Sequence, residues 1–105
     1  MRKVQILLVD DHDVVRTGLK AYLDTQTDLE VIAEAGDGLA AVQLVQELSP
    51  DVVVMDISMP GMDGLQATRQ IKSICPSCKI LSFTVHNDKQ YFFEMLSAGA
   101  VGYVT

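Results

Sequence analysis

Residues 4–11 read Val-Gln-Ile-Leu-Leu-Val-Asp-Asp and residues 52–56 read Val-Val-Val-Met-Asp, so two apolar runs end in acids. Near-continuous apolar runs of this length are typical of strands buried on both faces of a parallel sheet. Ligands of such sheets bind outside the carboxyl ends of the strands. The sequence therefore predicts that Asp10, Asp11 and Asp56 meet at one edge of a sheet.

Three carboxylates in one place repel one another unless a cation or a proton is shared among them. Hard divalent metals with oxygen ligands are the usual solution, and Mg²⁺ is commonly bound by one or two carboxylates together with phosphate. The two acidic strand ends thus predict a metal-assisted phosphoryl site.

The composition restricts the class of protein. A chain of 105 residues is expected to form one domain, and 49% hydrophobic residues suffice for one core. The net charge of −6, with only 8 basic residues, argues against a nucleic-acid-binding surface. No apolar stretch is long enough for a membrane span and no signal segment opens the chain, so a cytoplasmic location is expected.

Strand and helix patterns alternate along the chain. This alternation with short loops predicts a doubly wound α/β fold around a parallel sheet. The second strand carries Glu30 and Glu34, which suits an edge. Only four helices accompany five strands, so we expect a fragment that lacks its final helix and leaves one sheet face short of cover. The predicted strands are 4–9, 30–35, 52–55, 79–84 and 101–104, and the predicted helices are 13–25, 39–48, 64–74 and 88–98.

The two cysteines form a Cys-x-x-Cys motif at Cys75 and Cys78. A reactive pair favours a helix N-terminus, where the helix dipole stabilises the thiolate. Here the motif follows the end of a predicted helix, and Pro76 is a helix stop signal. No second Cys or His pair completes a zinc site. We therefore expect two thiols in a connecting loop.

Several motifs are spread along the chain: Leu8-Val9-Asp10-Asp11-His12, Pro50–Asp56, Met59-Pro60-Gly61-Met62-Asp63-Gly64, Thr84 and Ala98–Tyr103. Taken together, from Lys3 to Thr105, they resemble the receiver domain of a two-component response regulator. The resemblance implies a five-stranded sheet of flavodoxin-like order 2-1-3-4-5 in a single domain, 1–105. Two further segments, Val14–Leu19 and Gly64–Arg69, resemble receivers joined to a LuxR-type helix-turn-helix output domain, which is absent from this chain.

The resemblance assigns a role to each acid. Asp56 matches the phosphoacceptor, whose carboxylate forms an aspartyl-phosphate. Asp10 and Asp11 match the acidic pair that holds Mg²⁺, with Asp11 a direct ligand and Asp10 acting mainly through water. Asp56 would supply a carboxylate oxygen to the same ion, and Ser58 a backbone carbonyl. The alternative for the acidic pair is a helix-capping cluster, a role that Asp13 could fill without it.

Other positions match the parts of a receiver that respond to phosphorylation. By resemblance, Thr84 supplies a hydroxyl that hydrogen-bonds the phosphoryl group, and Tyr103 supplies an aromatic ring that moves inward afterwards. Ser58 and His86 match positions that tune loss of the phosphoryl group. The alternatives are a strand threonine without a role, a half-buried strand tyrosine and an exposed loop histidine. His12 is interpreted only as the residue that follows the acidic pair at the helix entrance.

The resemblance also implies partners. A sensor histidine kinase would donate the phosphoryl group, and the face of the fourth helix and fifth strand would serve a homodimer. DNA would be bound only through the absent output domain, in transcription regulation by the longer protein. The family's phosphate-binding lysine falls one residue past Thr105. Such a chain is a signalling phosphoacceptor that catalyses only its own phosphorylation and dephosphorylation.

Two other functions are weighed against this one. The first is a receiver-like interaction module that is not phosphorylated in this truncated form. The second is a Mg²⁺-dependent phosphatase with an aspartyl-phosphate intermediate, whose motif spaces two aspartates by one residue. Neither Asp10-Asp11-His12 nor Asp56-Ile57-Ser58 has that spacing.

Overall fold

Parallel strands form the centre of the molecule, in the order β2-β1-β3-β4-β5. The structure is a computed structural model and describes residues 3–56, 64–83 and 102–104. The strands are β1 (Val4–Val9), β2 (Leu29–Ala35), β3 (Val52–Asp56), β4 (Lys79–Phe83) and β5 (Gly102–Val104), and the helices are α1 (Asp13–Asp24), α2 (Gly38–Leu48) and α3 (Gly64–Ile74).

Pairing is parallel throughout the described sheet, as the alternation of strands and helices predicts. The prediction of a parallel α/β fold with the flavodoxin-like order of the first four strands is confirmed, and β2 lies at the edge. The predicted helix 88–98 lies outside the described residues. The final helix beyond Thr105 stays a prediction.

Helices cover both faces of the sheet. On one face, Leu7 and Val9 of β1 join the main core with Ala41 and Val45 of α2 and with Ile71 of α3. Because side chains alternate along a strand, the intervening residues of β1 point to the opposite face, where α1 lies. The continuous apolar run of β1 is thereby explained, since every residue from Ile6 to Val9 is buried.

The helix ends follow local sequence signals. Asp37 caps α2, because its side chain accepts a hydrogen bond of 2.8 Å from the backbone N–H of Ala40. The same helix ends at Ser49, which adopts a left-handed conformation (φ 45°), directly before Pro50. Pro50 then leads into β3, whose carboxyl end carries Asp56.

The apolar stripe of α1 is less buried than its periodicity suggests. None of the residues of α1 is fully buried, and Val14, Val15 and Tyr22 are exposed. Among the apolar residues of α1, only Leu19 and Leu23 are partly covered. The helical period identifies neighbouring residues on a helix, but it does not determine how far the sheet reaches beneath them.

The interpretation of Cys75 and Cys78 as two thiols is wrong for this structure, which joins them in a disulfide. The backbone N–H of Cys78 donates to the carbonyl of Cys75 (3.0 Å), and this tight turn after α3 brings the two Cα atoms to 5.5 Å. That separation is within the range that a disulfide requires. The motif therefore closes a small covalent loop between α3 and β4.

Reduction of this disulfide should have a small effect on stability. A loop of so few residues restricts the unfolded chain little, so the chain-entropy contribution is about 2 kcal/mol at most. Urea denaturation with and without dithiothreitol measures the difference in the free energy of unfolding. Cys75→Ser is the control, since its unfolding should not respond to the reductant. A decrease in the free energy of unfolding well above about 2 kcal/mol on reduction would contradict this prediction.

Candidate metal centre

Acidic side chains follow β1 and β3 at the carboxyl edge of the sheet. The register pairs Val9 with Met55, so Asp10 and Asp56 leave the sheet at the same level. The backbone N–H of Asp10 donates to the carbonyl of Ala35 (3.0 Å), which continues the ladder to β2 past the end of β1. Parallel pairing of neighbouring strands is therefore what brings residues 46 positions apart in the sequence to one place.

One ligand atom from each of Asp10, Asp11, His12 and Asp56 lies within 4.8 Å of the others, in a group that we call the acidic cluster. Asp10 and Asp56 are buried, and Asp11 is partly buried. The structure thus brings together the three carboxylates singled out from the sequence.

Two carboxylate oxygens of the acidic cluster are poorly satisfied. Asp10 Oδ2 and Asp11 Oδ1 are both buried and have no hydrogen-bond partner. Asp10 is the more constrained of the two, because its side chain is only 1% exposed. Buried anionic oxygens without a donor are costly unless a cation is close by. The donor set is oxygen-rich and anionic, which fits a hard divalent cation such as Mg²⁺.

The imidazole of His12 contacts the carboxylates of the acidic cluster. Its Nδ1 atom lies 3.2 Å from Asp10 Oδ1, 3.1 Å from Asp11 Oδ1 and 4.0 Å from Asp56 Oδ2. The hydrogen bond to Asp10 and the charge of Asp11 raise the pKa of the imidazole above its ordinary value of 6.5, and the charge of Asp56 acts in the same direction. One Nδ1 proton does not satisfy both Asp10 and Asp11.

Asp10 is held in place by its own backbone surroundings. Its Oδ1 accepts a hydrogen bond of 2.8 Å from the backbone N–H of His12. Arg16, one turn into α1, donates from its guanidinium to the carbonyl oxygen of Asp10 and to the carboxylate of Asp13. A third contact joins Arg16 Nε to Glu34 Oε1 at 3.3 Å. Arg16 therefore ties α1 to the ends of β1 and β2 beneath the acidic cluster.

The sequence interpretation did not identify His12 or Arg16 as parts of this site. The sequence does contain a feature that points to Arg16, because an arginine one helical turn after an acidic pair can reach back to the end of the strand. His12 had no comparable signal, because its position depends on the turn into α1.

The remaining predicted site residues lie mostly outside the described residues. Ser58, Thr84 and His86 belong to that part, and for Tyr103 the structure describes only the backbone in β5. Their predicted roles stay predictions. The register pairs Phe83, the last described residue of β4, with Asp56.

Comparison with known proteins identifies the family. The sequence model of the response regulator receiver domain family matches residues 6–105. The transcriptional regulatory protein LiaR of Bacillus subtilis is 46% identical over 101 residues, which cover 96% of this chain and 48% of LiaR. The chain thus spans about half the length of the curated relatives it matches.

Solved structures agree with this result. A LuxR-family two-component response regulator from Aurantimonas superposes with a TM-score of 0.94 at 41% identity, covering 98% of this chain and 74% of that one. The isolated receiver domain of RcsB from Salmonella enterica, determined with the phosphomimetic BeF3−, superposes with a TM-score of 0.89 at 27% identity and covers 98% and 77% of the two chains. The chain belongs to the response regulator receiver domain family, and its relatives are of the LuxR type.

Proposed function

We propose that the chain is a phosphoacceptor receiver domain whose Asp56 is phosphorylated in the presence of Mg²⁺. The observation that carries this proposal is the convergence of three carboxylates, two of them with buried oxygens that lack a hydrogen-bond partner. A site without chemistry would gain nothing from three acids at one strand edge, because their mutual repulsion destabilises the fold.

The proposed reaction transfers a phosphoryl group from a phosphohistidine to Asp56. A carboxylate oxygen of Asp56 attacks phosphorus, the new O–P bond forms as the N–P bond breaks, and the leaving imidazole takes up a proton. Asp56 ends β3 and is buried, so the nucleophile is held by the sheet and not by a loop. The chain would catalyse this transfer and the later hydrolysis on itself alone, as a signalling module.

In the proposal, Asp11, Asp56 and the backbone carbonyl of Ser58 would bind Mg²⁺ directly, and Asp10 would act on the ion mainly through water. When bound, Mg²⁺ would neutralise charge on the transferring phosphoryl group and offset the repulsion among the acids. Asp10 is oriented for this role by the backbone N–H of His12, which fixes one of its oxygens.

The output of the proposed switch depends on Thr84 and Tyr103. New charge on Asp56 would favour the conformation in which Thr84 turns toward the phosphoryl group and Tyr103 moves inward. The change would alter dimerisation through the fourth helix and β5, and in a longer protein the activity of a DNA-binding output domain. The relative LiaR is a transcriptional regulatory protein, which supports this part of the proposal.

Intact mass spectrometry after incubation with acetyl phosphate and Mg²⁺ tests the proposal. The expected result is one phosphoryl adduct that requires Mg²⁺ and that disappears in Asp56→Asn. No adduct on the wild-type chain would support the non-phosphorylated interaction module. Rapid turnover of many phosphate esters would support the phosphatase.

A sensor histidine kinase is the proposed phosphoryl donor in the cell, and α1 offers a contact surface for it. Val14 is 86% exposed, and it lies three residues after Asp11 on the helix that follows the acidic cluster. Val15 and Tyr22 add exposed apolar area on the same helix. Exposed apolar groups beside a reaction site mark an interaction surface.

Val14→Gln should impair phosphotransfer from the kinase and leave phosphorylation by acetyl phosphate unchanged. The substitution removes apolar contact area, and an interface contact of this kind accounts for about 1 kcal/mol or more, equal to about a fivefold lower rate. The measurement is transfer of ³²P from whichever autophosphorylated kinase of a panel labels the wild-type chain. Leu39→Gln, an exposed leucine on α2, is the matched control. If Val14→Gln slowed phosphorylation by acetyl phosphate as much as transfer from the kinase, α1 would not be the contact surface for the kinase.

None of the helices in the described part of the chain has the length and apolar character needed to cross a bilayer. A cytoplasmic location remains part of the proposal, because a histidine kinase delivers its phosphoryl group on the cytoplasmic side.

A further inference from the structure

His12 is the one member of the acidic cluster with a nitrogen donor. Its ring is held against the carboxylates although the side chain is 67% exposed. Nδ1 lies 3.2 Å from Asp10 Oδ1 and 3.1 Å from Asp11 Oδ1. Two ligand atoms that each lie about 2.1 Å from one metal ion, with an angle of about 90° at the ion, are about 3 Å apart. The imidazole nitrogen is therefore positioned to bind the same metal ion as the two carboxylates.

A second observation points to a cation in the same place. Asp10 Oδ2 is buried without a hydrogen-bond partner, on a side chain that is almost completely inaccessible to solvent. Asp11 Oδ1 is also buried, and Nδ1 of His12 lies 3.1 Å from it. The imidazole offers a single Nδ1 proton to these oxygens, so the ring as a hydrogen-bond donor leaves the cluster incompletely satisfied. A metal ion bound jointly by the ring and by one oxygen of each carboxylate would place positive charge beside these buried oxygens.

We propose that Nδ1 of His12 is an additional protein ligand of this centre, which makes it a mixed nitrogen–oxygen site for late first-row divalent metals such as Co²⁺, Ni²⁺ and Zn²⁺. This inference rests on the metal site of the proposed function and extends the set of metals that it accepts. Carboxylate oxygens suit Mg²⁺, whereas imidazole nitrogen suits zinc, nickel and iron. His12 would therefore determine which metal the centre selects, and the three acids alone would bind Mg²⁺.

Titration of the wild-type chain and of His12→Ala with Ni²⁺ and with Mg²⁺ in a calorimeter tests this assignment. Removal of His12 should weaken Ni²⁺ binding by about 10-fold or more, because loss of a group that only orients a ligand already costs about 10- to 100-fold. Mg²⁺ binding should stay within about twofold, because magnesium binds oxygen ligands. The absorption spectrum of bound Co²⁺ should also change between the two proteins, since a nitrogen ligand is replaced by water.

Two further variants separate ligation from other effects. His12→Asn keeps a polar side chain of similar reach without the imidazole and should behave as His12→Ala does. Asp13→Asn removes a neighbouring charge on a side chain that is exposed and outside the acidic cluster, so it should leave the preference for Ni²⁺ over Mg²⁺ unchanged. Circular dichroism of each variant establishes that it is folded.

The outcomes distinguish this inference from the proposed function. Unchanged Ni²⁺ affinity in His12→Ala, or an equal loss for Ni²⁺ and Mg²⁺, would overturn the role of His12. If the Mg²⁺-dependent adduct on Asp56 still forms in that case, the proposed function stands. If the wild-type chain binds neither metal, both proposals fail.

Discussion

Leu7→Ala should lower the free energy of unfolding by about 3 kcal/mol, within the usual range for a buried leucine truncated to alanine. Leu7 is fully buried in β1, the strand between β2 and β3. It pairs with Ala33 on one side and Val53 on the other. The sheet fixes the backbone on both sides, so the surroundings have little freedom to collapse into the cavity. Because domains of this size are stable by only about 5–15 kcal/mol, the loss is a large fraction of the total.

Urea denaturation of the wild-type chain and the variant measures this difference. Leu39→Ala makes the same substitution on α2 at a side chain that is 57% exposed, and it should change stability by less than about 0.5 kcal/mol. Similar losses for the two variants would mean that β1 is not the centre of the core.

The strands themselves follow from features that the sequence displays directly, whereas their order was implied by the resemblance to receiver domains. The apolar runs of β1 and β3 are long enough, and sufficiently free of polar residues, to identify strands buried on both faces. Once two such strands are parallel neighbours, Asp10 and Asp56 must leave the same edge. The pairing of the acids was therefore predictable, although they are far apart in the sequence.

The parts that sequence reasoning missed depend on local geometry without a periodic pattern. His12 returns to the acidic cluster because the chain turns between β1 and α1, and no spacing rule describes that turn. Cys75 and Cys78 were judged from the helix dipole, which concerns thiolate reactivity. The turn after α3 sets their separation instead. The exposure of Val14 depends on how far the sheet extends under α1, which is a tertiary property.

Asp10→Asn should make the metal-free chain more stable and abolish its response to Mg²⁺. Asp10 is buried next to two other acids, so removal of its charge relieves both desolvation and repulsion. The asparagine oxygen can still accept the hydrogen bond from the backbone N–H of His12. We expect a gain of about 1–2 kcal/mol in the free energy of unfolding without metal, a magnitude typical of a buried polar group that becomes better satisfied.

The same substitution should remove the stabilisation by Mg²⁺, because a site with one carboxylate fewer binds the ion poorly. At a concentration 100 times the dissociation constant, a bound ligand adds about 2.7 kcal/mol to stability, and the variant should show almost none of this. Urea denaturation with and without Mg²⁺ gives both quantities in one experiment. Asp13→Asn is the matched control, since that aspartate is 87% exposed and outside the acidic cluster. A variant that loses stability without metal and keeps its response to Mg²⁺ would show that Asp10 supports the fold and does not contribute to the metal centre.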